Sequence, residues 1–253
     1  MWANVRALNA AANALVALAL ALVLYAGGSL LVKSPAFPLR SIQVLGELQH
    51  VARMQIVDAL QGRVSGTFFS VELEEIRQLF QGIAWVRRAE VRRLWPDRLE
   101  VRLEEHVALA RWGQQPGDHL VNVQGEPFIG VTDAELPVFA GPAGTEREVA
   151  RRYALYRDLL APLGLEPRQV LLSTRYAWQL RLSNGLTVQL GRDSDKDPLQ
   201  QRLARFVEAY PRALGSLSRR LEYVDLRYPN GFALRVPEIA KSDPPKPARR
   251  GKA

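Results

Sequence analysis

The spacing of apolar residues divides the chain into three regions. From Ala7 to Val32 there is no alternation: twenty-six residues, mostly Ala, Leu and Val, pass without a charge between Arg6 and Lys33. As a helix at about 1.5 Å per residue the run would reach roughly 39 Å, against a hydrocarbon core of about 30 Å. Tilt, or an end at Gly27-Gly28, absorbs the surplus. Such a helix satisfies its own backbone, as lipid requires. The run therefore predicts a transmembrane helix over 7–32 behind a cytoplasmic head, 1–6. A cleaved signal peptide has an apolar core of about 7–15 residues and a clearly basic start. Processing stays open as the alternative, because Ala26-Gly27-Gly28 loosely matches a cleavage site. Arg6 before the run and Lys33 and Arg40 after it nearly balance. Orientation, N-terminus inside, then rests on the bulk of the chain folding on the far side.

After a linker with two prolines (33–38, KSPAFP) the pattern becomes mixed. Ile42 to Leu45 reads as a short strand ended by Gly46. Val51, Met54, Ile56, Val57 and Leu60 have helical spacing, and Gly62 can stop that helix. Ser70 is a candidate N-cap for a second helix, with Leu73, Ile76, Leu79 and Phe80 on one face. Glu72, Glu74 and Glu75 suit the positive end of its dipole. Leu99, Val101 and Leu103 alternate with Arg98, Glu100, Arg102 and Glu104, the period of a half-buried strand. Trp85 to Leu94 is its antiparallel partner across the turn Trp95-Pro96-Asp97. Strand, helix, helix, strand, strand over 37–107 predicts an α+β module, with both helices on one face of a three-stranded sheet.

Residues 108–236 form the third region, a mixed β-rich domain with two helices. Short strands are expected over 108–112, 120–123 and 128–131, with a helix over 145–163. Asn184-Gly185 between 178–182 and 186–190 is a strong hairpin signal. A second helix runs from about Pro198 to Leu214. A last hairpin pairs 223–228 with 232–236 around Pro229-Asn230-Gly231. From Pro237 to the end, 237–253, Pro and Lys dominate and disorder is expected.

Composition excludes more than it identifies. With no cysteine there is no disulfide framework and no thiolate chemistry. The net charge of +8 is dispersed: residues 37–107 hold ten basic and ten acidic side chains, and 108–236 hold 17 and 14. That is no concentrated basic face, so no nucleic-acid partner is expected. His50, His106 and His119 lack metal-ligand spacing. Asp193, Asp195 and Asp197 begin like a calcium loop, but Pro198 and Ala204 stand where Gly and Glu are needed. Glu104 and Glu105 are neighbours on a strand and face opposite ways. No catalytic site, cofactor, metal or small-molecule substrate is predicted.

The anchor is followed by Phe37-Pro38-Leu39-Arg40-Ser41-Ile42-Gln43-Val44 and Gly46, by Trp85-Val86, and by Trp95-Pro96-Asp97-Arg98-Leu99. Further on come Trp178-Gln179-Leu180, Arg202 to Val207 and Tyr223 to Tyr228. In this order, from Trp2 to about Val236, the chain resembles the FtsQ/DivIB family of bacterial cell-division proteins. The resemblance implies a POTRA domain over 37–107, a β domain over 108–236, and a non-enzymatic scaffold of the divisome. The implied location is the inner membrane at the septum, single-pass, with both domains periplasmic. Implied partners are FtsB with FtsL, then FtsW, FtsI, FtsK and other divisome proteins, together with inner-membrane lipid. The family's β domain binds FtsB by adding a strand at its C-terminal edge. Here that edge matches Phe232, Leu234 and Val236, with Tyr228, Asn230 and Gly231 in the turn. Arg175 matches a position that pairs with an acid on the partner.

The duller readings are a hairpin aromatic for Tyr228, a solvated charge for Arg175, and an outward strand face for Arg87, Arg88, Arg92 and Arg93. The functional reading of those four is an acidic partner or lipid head groups. The chain departs from the family in its short head, and in Val236 where an aromatic is expected. Rival functions are a POTRA-containing secretion or outer-membrane assembly factor, and a membrane-anchored envelope enzyme. The first would need a barrel or tandem POTRA repeats, the second a polar catalytic cluster.

Overall fold

A computed structural model describes residues 5–32, 37–113, 117–214, 221–228 and 231–235. The head 1–4, Asn230, Val236 and the tail 237–253 lie outside the described residues. The chain divides into two compact units, Met1–His106 and Val107–Ala253.

The first unit begins with α1 (Val5–Val32), of which Leu8–Leu30 is long and apolar enough to cross a membrane. Then follow β1 (Ser41–Leu45), α2 (Arg53–Leu60), α3 (Leu73–Gln81), β2 (Val86–Leu94) and β3 (Arg98–Glu105). β3 lies between the other two strands, parallel to β1 and antiparallel to β2. Leu99, Val101 and Leu103 are buried, and so are Ile76 and Phe80 of α3. Gly46 ends β1 at a positive φ, where an added Cβ would collide with the Leu103 carbonyl. α2 buries no residue, and Met54 and Val57 point to solvent.

Two expectations change here. Ser70 does not cap α3: its hydroxyl accepts from the Thr67 N–H and closes the turn before the helix, and Glu72 takes the cap position without a side-chain bond. Nor do the four arginines form one face. Arg93 opposes Leu99 on the helix side, and donates to the carbonyls of Phe68 (2.8 Å), Phe69 (3.2 Å) and Val71 (2.7 Å). Arg87 reaches Glu104, Arg88 reaches Glu90 and Arg92 reaches Glu100.

The second unit is a nine-stranded sheet. Its strands are β4 (Ala108–Trp112), β5 (His119–Asn122), β6 (Pro127–Ile129), β7 (Val138–Ala140), β8 (Pro167–Leu172), β9 (Ala177–Leu182), β10 (Thr187–Arg192), β11 (Tyr223–Asp225) and β12 (Ala233–Arg235). Their order is β12-β11-β10-β9-β8-β7-β4-β5-β6. Two helices make the crossovers. α4 (Glu146–Leu160) joins the parallel pair β7 and β8, and α5 (Leu199–Ala209) joins the parallel pair β10 and β11. A row of opposed residues crosses the sheet: Val224, Val188, Leu180, Val170 and Phe139, all fully buried. The spacing of apolar residues does not announce β7 and β8.

Candidate functional site

At one margin of the large sheet, β12 pairs only with β11 among the described residues. Leu234 opposes Val224, so it extends the buried apolar row to the margin, where it is 41 % exposed. The row is cut off rather than finished there. Phe232, two residues earlier and so on the same face, turns into the domain and meets Phe206 edge-on with ring centroids 6.4 Å apart. Tyr228 and Gly231 are exposed in the connection between β11 and β12. Of the candidate residues, Leu234, Tyr228 and Gly231 are therefore accessible, and Phe232 is mainly an anchor for the strand.

Arg175 stands apart. It is exposed in the turn between β8 and β9. β9 and β12 run in the same direction, because β9 is antiparallel to β10, β10 parallel to β11, and β11 antiparallel to β12. Arg175 thus sits at the end of the sheet that carries the 226–232 connection, with β10 and β11 between. At about 4.8 Å per strand the separation is roughly 14 Å. A strand added along β12 would not touch Arg175; a partner reaching both must also cross that end of the sheet.

A set of buried polar groups holds the margin in place. Arg202 is on the inner face of α5, three residues after Leu199 and four before Phe206, and is itself buried. Its guanidinium donates to the carbonyls of Leu190 (2.6 Å) and Arg192 (3.0 Å) and to Asp197 (2.8 Å). Gly191, between those two carbonyls, has φ +81°, and a Cβ there would lie 2.8 Å from the Arg227 side chain. Asp225, nearly buried on β11, accepts from the Arg227 side chain and from its backbone N–H. The Arg227 hydrogen bond holds the Asp225 carboxyl below its usual range, against a smaller upward push from burial. Asp197 is likewise lowered, first by Arg205 and then by Arg202. These acids and Asp193, which takes the Leu199 N–H and Arg152, are bound to helix and strand partners. No cluster able to hold a metal ion occurs among the described residues.

Arg202 to Val207 and Tyr223 to Tyr228 are family-like stretches whose role the residues alone do not show. The missed signal was an arginine on the apolar stripe of an amphipathic helix, which must find buried acceptors.

Comparison with known proteins accounts for both units. Residues 37–106 match the POTRA domain, FtsQ-type, and residues 110–227 match the C-terminal domain of cell division protein FtsQ/DivIB. β12 falls beyond the second match. Cell division protein FtsQ of Burkholderia pseudomallei is 46% identical over 239 residues, covering 93% of this chain and 94% of that protein. The FtsQ of Nitrosospira multiformis is 42% identical, covering 93% and 99%. That of Bordetella pertussis is 39% identical, covering 99% and 100%.

Proposed function

Because the chain belongs to the FtsQ/DivIB family of cell-division proteins, we propose that it is a non-enzymatic scaffold whose outer strand β12 is extended by a strand from FtsB in its complex with FtsL. The single-pass anchor would hold both units on the periplasmic side at the septum, and FtsW, FtsI and FtsK are further candidate partners. The observation that carries this reading is the apolar row that ends uncovered at Leu234. An edge strand offers unpaired N–H and C=O groups to an incoming strand, and side-chain complementarity selects which strand binds. A partner side chain opposite Leu234 would continue the row from Val224 outward. Tyr228, Asn230, Gly231 and Val236 would flank the added strand, while Arg175 would meet an acid on a more distant part of the same partner.

The test is affinity of the full chain for the purified FtsB–FtsL pair. Leu234→Pro removes a backbone donor and bars a regular ladder. Leu234→Glu keeps the donor and destroys only the apolar continuation. Each variant is expected to weaken binding by about tenfold or more, with the thermal midpoint of Leu234→Glu unchanged. Wild-type affinity in a folded Leu234→Glu protein would refute the edge-strand reading.

A further inference from the structure

The end of the first unit where the chain enters it carries uncovered aromatic rings. Trp95, at the tip of the turn joining β2 and β3, is 79 % exposed, and Leu94 and Phe69 beside the same end are also exposed. Backbone contacts join the chain's entry point to this tip and to the turn 67–71. The Arg40 N–H donates to the Asp97 carbonyl (2.9 Å), Pro38 bridges to Thr67, and the Phe68 N–H donates to the Phe37 carbonyl (2.9 Å). Phe37 packs edge-on against Phe69, with centroids 5.1 Å apart. Entry segment, turn 67–71 and tip 95–97 are therefore one surface.

The length of the linker brings a particular occupant within reach. Only Lys33 to Leu39, seven residues, separate the last residue of α1 from Arg40. Fully extended, the step from Val32 to Arg40 spans at most about 28 Å. A module of this size is itself about that wide, so the surface beside Arg40 is confined to within one module's width of the bilayer. Its charge is suited to that neighbour. Arg40 and Arg98 both lean on Asp97, at 3.5 and 3.7 Å, and Arg93 is held by carbonyls, so cations outnumber the acid. Tryptophan is enriched where bilayer meets water, with its ring in the head-group layer, and arginine there can reach phosphate.

We propose that Trp95, flanked by Arg40 and Arg98, docks the first unit onto the phospholipid surface at the exit of its own anchor. The surface taken is the head-group layer of a bilayer containing anionic phospholipid. The contact would fix the first unit's tilt on the membrane, independently of the β12 edge.

Lipid-quenched fluorescence of the full chain tests this. Wild type and Trp95→Phe are reconstituted in nanodiscs of phosphatidylethanolamine and phosphatidylglycerol, with and without acyl-brominated phosphatidylcholine. Their difference spectrum isolates Trp95 from the other four tryptophans. Trp95 is exposed, so the two proteins should melt alike. The Trp95 component is expected to be blue-shifted, to lose at least about half its intensity to brominated lipid, and to be shielded from iodide. A component that emits as in water, yields to iodide and ignores brominated lipid overturns the proposal. Shielding that appears only on adding the FtsB–FtsL pair also overturns it, because the surface would then be a protein contact.

Discussion

On the three-stranded sheet, arginines stay in water over a nearly buried Glu100. Glu100 of β3 is flanked by Arg92 of β2 at 2.8 Å and by Arg102 at 4.0 Å, and both arginines remain largely exposed. In the second unit, an arginine is taken inside as well. Arg202 is buried against two carbonyls and Asp197, and Asp225 is buried against Arg227. The same residue types therefore differ in energetic weight. An exposed arginine can trade its partner for water, whereas a buried one cannot be removed without stranding acceptors. The first unit can vary exposed arginines such as Arg88 freely, though not Arg93, which three carbonyls hold. The second depends on single side chains, and those chains hold the strand that borders the proposed docking edge.

The sharpest way to break this contrast is to remove one arginine from each unit. Arg202→Met should destabilise the second unit by about 3 kcal/mol, because two carbonyls and part of Asp197 lose their donor. Arg88→Met, whose partner Glu90 is exposed like the arginine itself, should leave the denaturant midpoint where it was. Equal losses in urea titrations would show that burial does not separate the two units.

Acid sharpens the comparison, since each unit has a nearly buried carboxylate held below its ordinary range, Glu105 in the first and Asp225 in the second. Burial pushes the Glu105 carboxyl up, but the N–H groups of Val51 and Gln49 and the ring and N–H of His50 more than offset it. Asp225 is lowered chiefly by Arg227. Both groups therefore bind a proton less readily folded than unfolded. Their stabilisation is complete above the unfolded carboxylate range of about 4, and is lost as pH falls through the folded values. Asp225→Asn and Glu105→Gln should each reduce the loss of stability between neutral and acid pH, read as the shift in denaturation midpoint. An unchanged acid limb in both would remove these two groups from the account.

The smallest expected effect has the opposite sign. Tyr156 of α4 is fully buried, and its hydroxyl finds no hydrogen-bond partner among the described residues. Burial pushes that phenol well above its ordinary value. Tyr156→Phe keeps the edge-on contact with Trp178 and discards the stranded oxygen. A gain of about 1 kcal/mol in the second unit is expected from calorimetry. A loss of that size would mean that the hydroxyl is bonded.

Much of this was legible in the residues themselves. The alternation from Arg98 to Glu104 is the central strand β3, and the apolar run is α1. Asn184-Gly185 turns where expected, with Gly185 at φ +85° and the Asn184 side chain accepting from the Leu186 N–H. β7 escaped because both its pairings, with β4 and with β8, are parallel, so no tight turn announces it; β8 forms an antiparallel hairpin with β9, but its turn, Ser173 to Tyr176, carries neither Gly nor Pro. The terminal hairpin was visible, but its ladder is short, three residues from each side. That β12 borders the whole sheet could not be read locally. It follows from β11 joining β10 in parallel through α5. The gap between Arg175 and that margin has the same origin, since it depends on strand order rather than on spacing along the chain.

That parallel crossover also orders events in time. The margin exists only once β10 is paired, α5 has crossed the sheet, and β11 has settled beside β10. β12 is the last of the described strands to be synthesised, so a chain still emerging offers no finished edge. A partner that recognises this strand would therefore read completion of the domain as well as its identity, and would pass over truncated or half-folded copies.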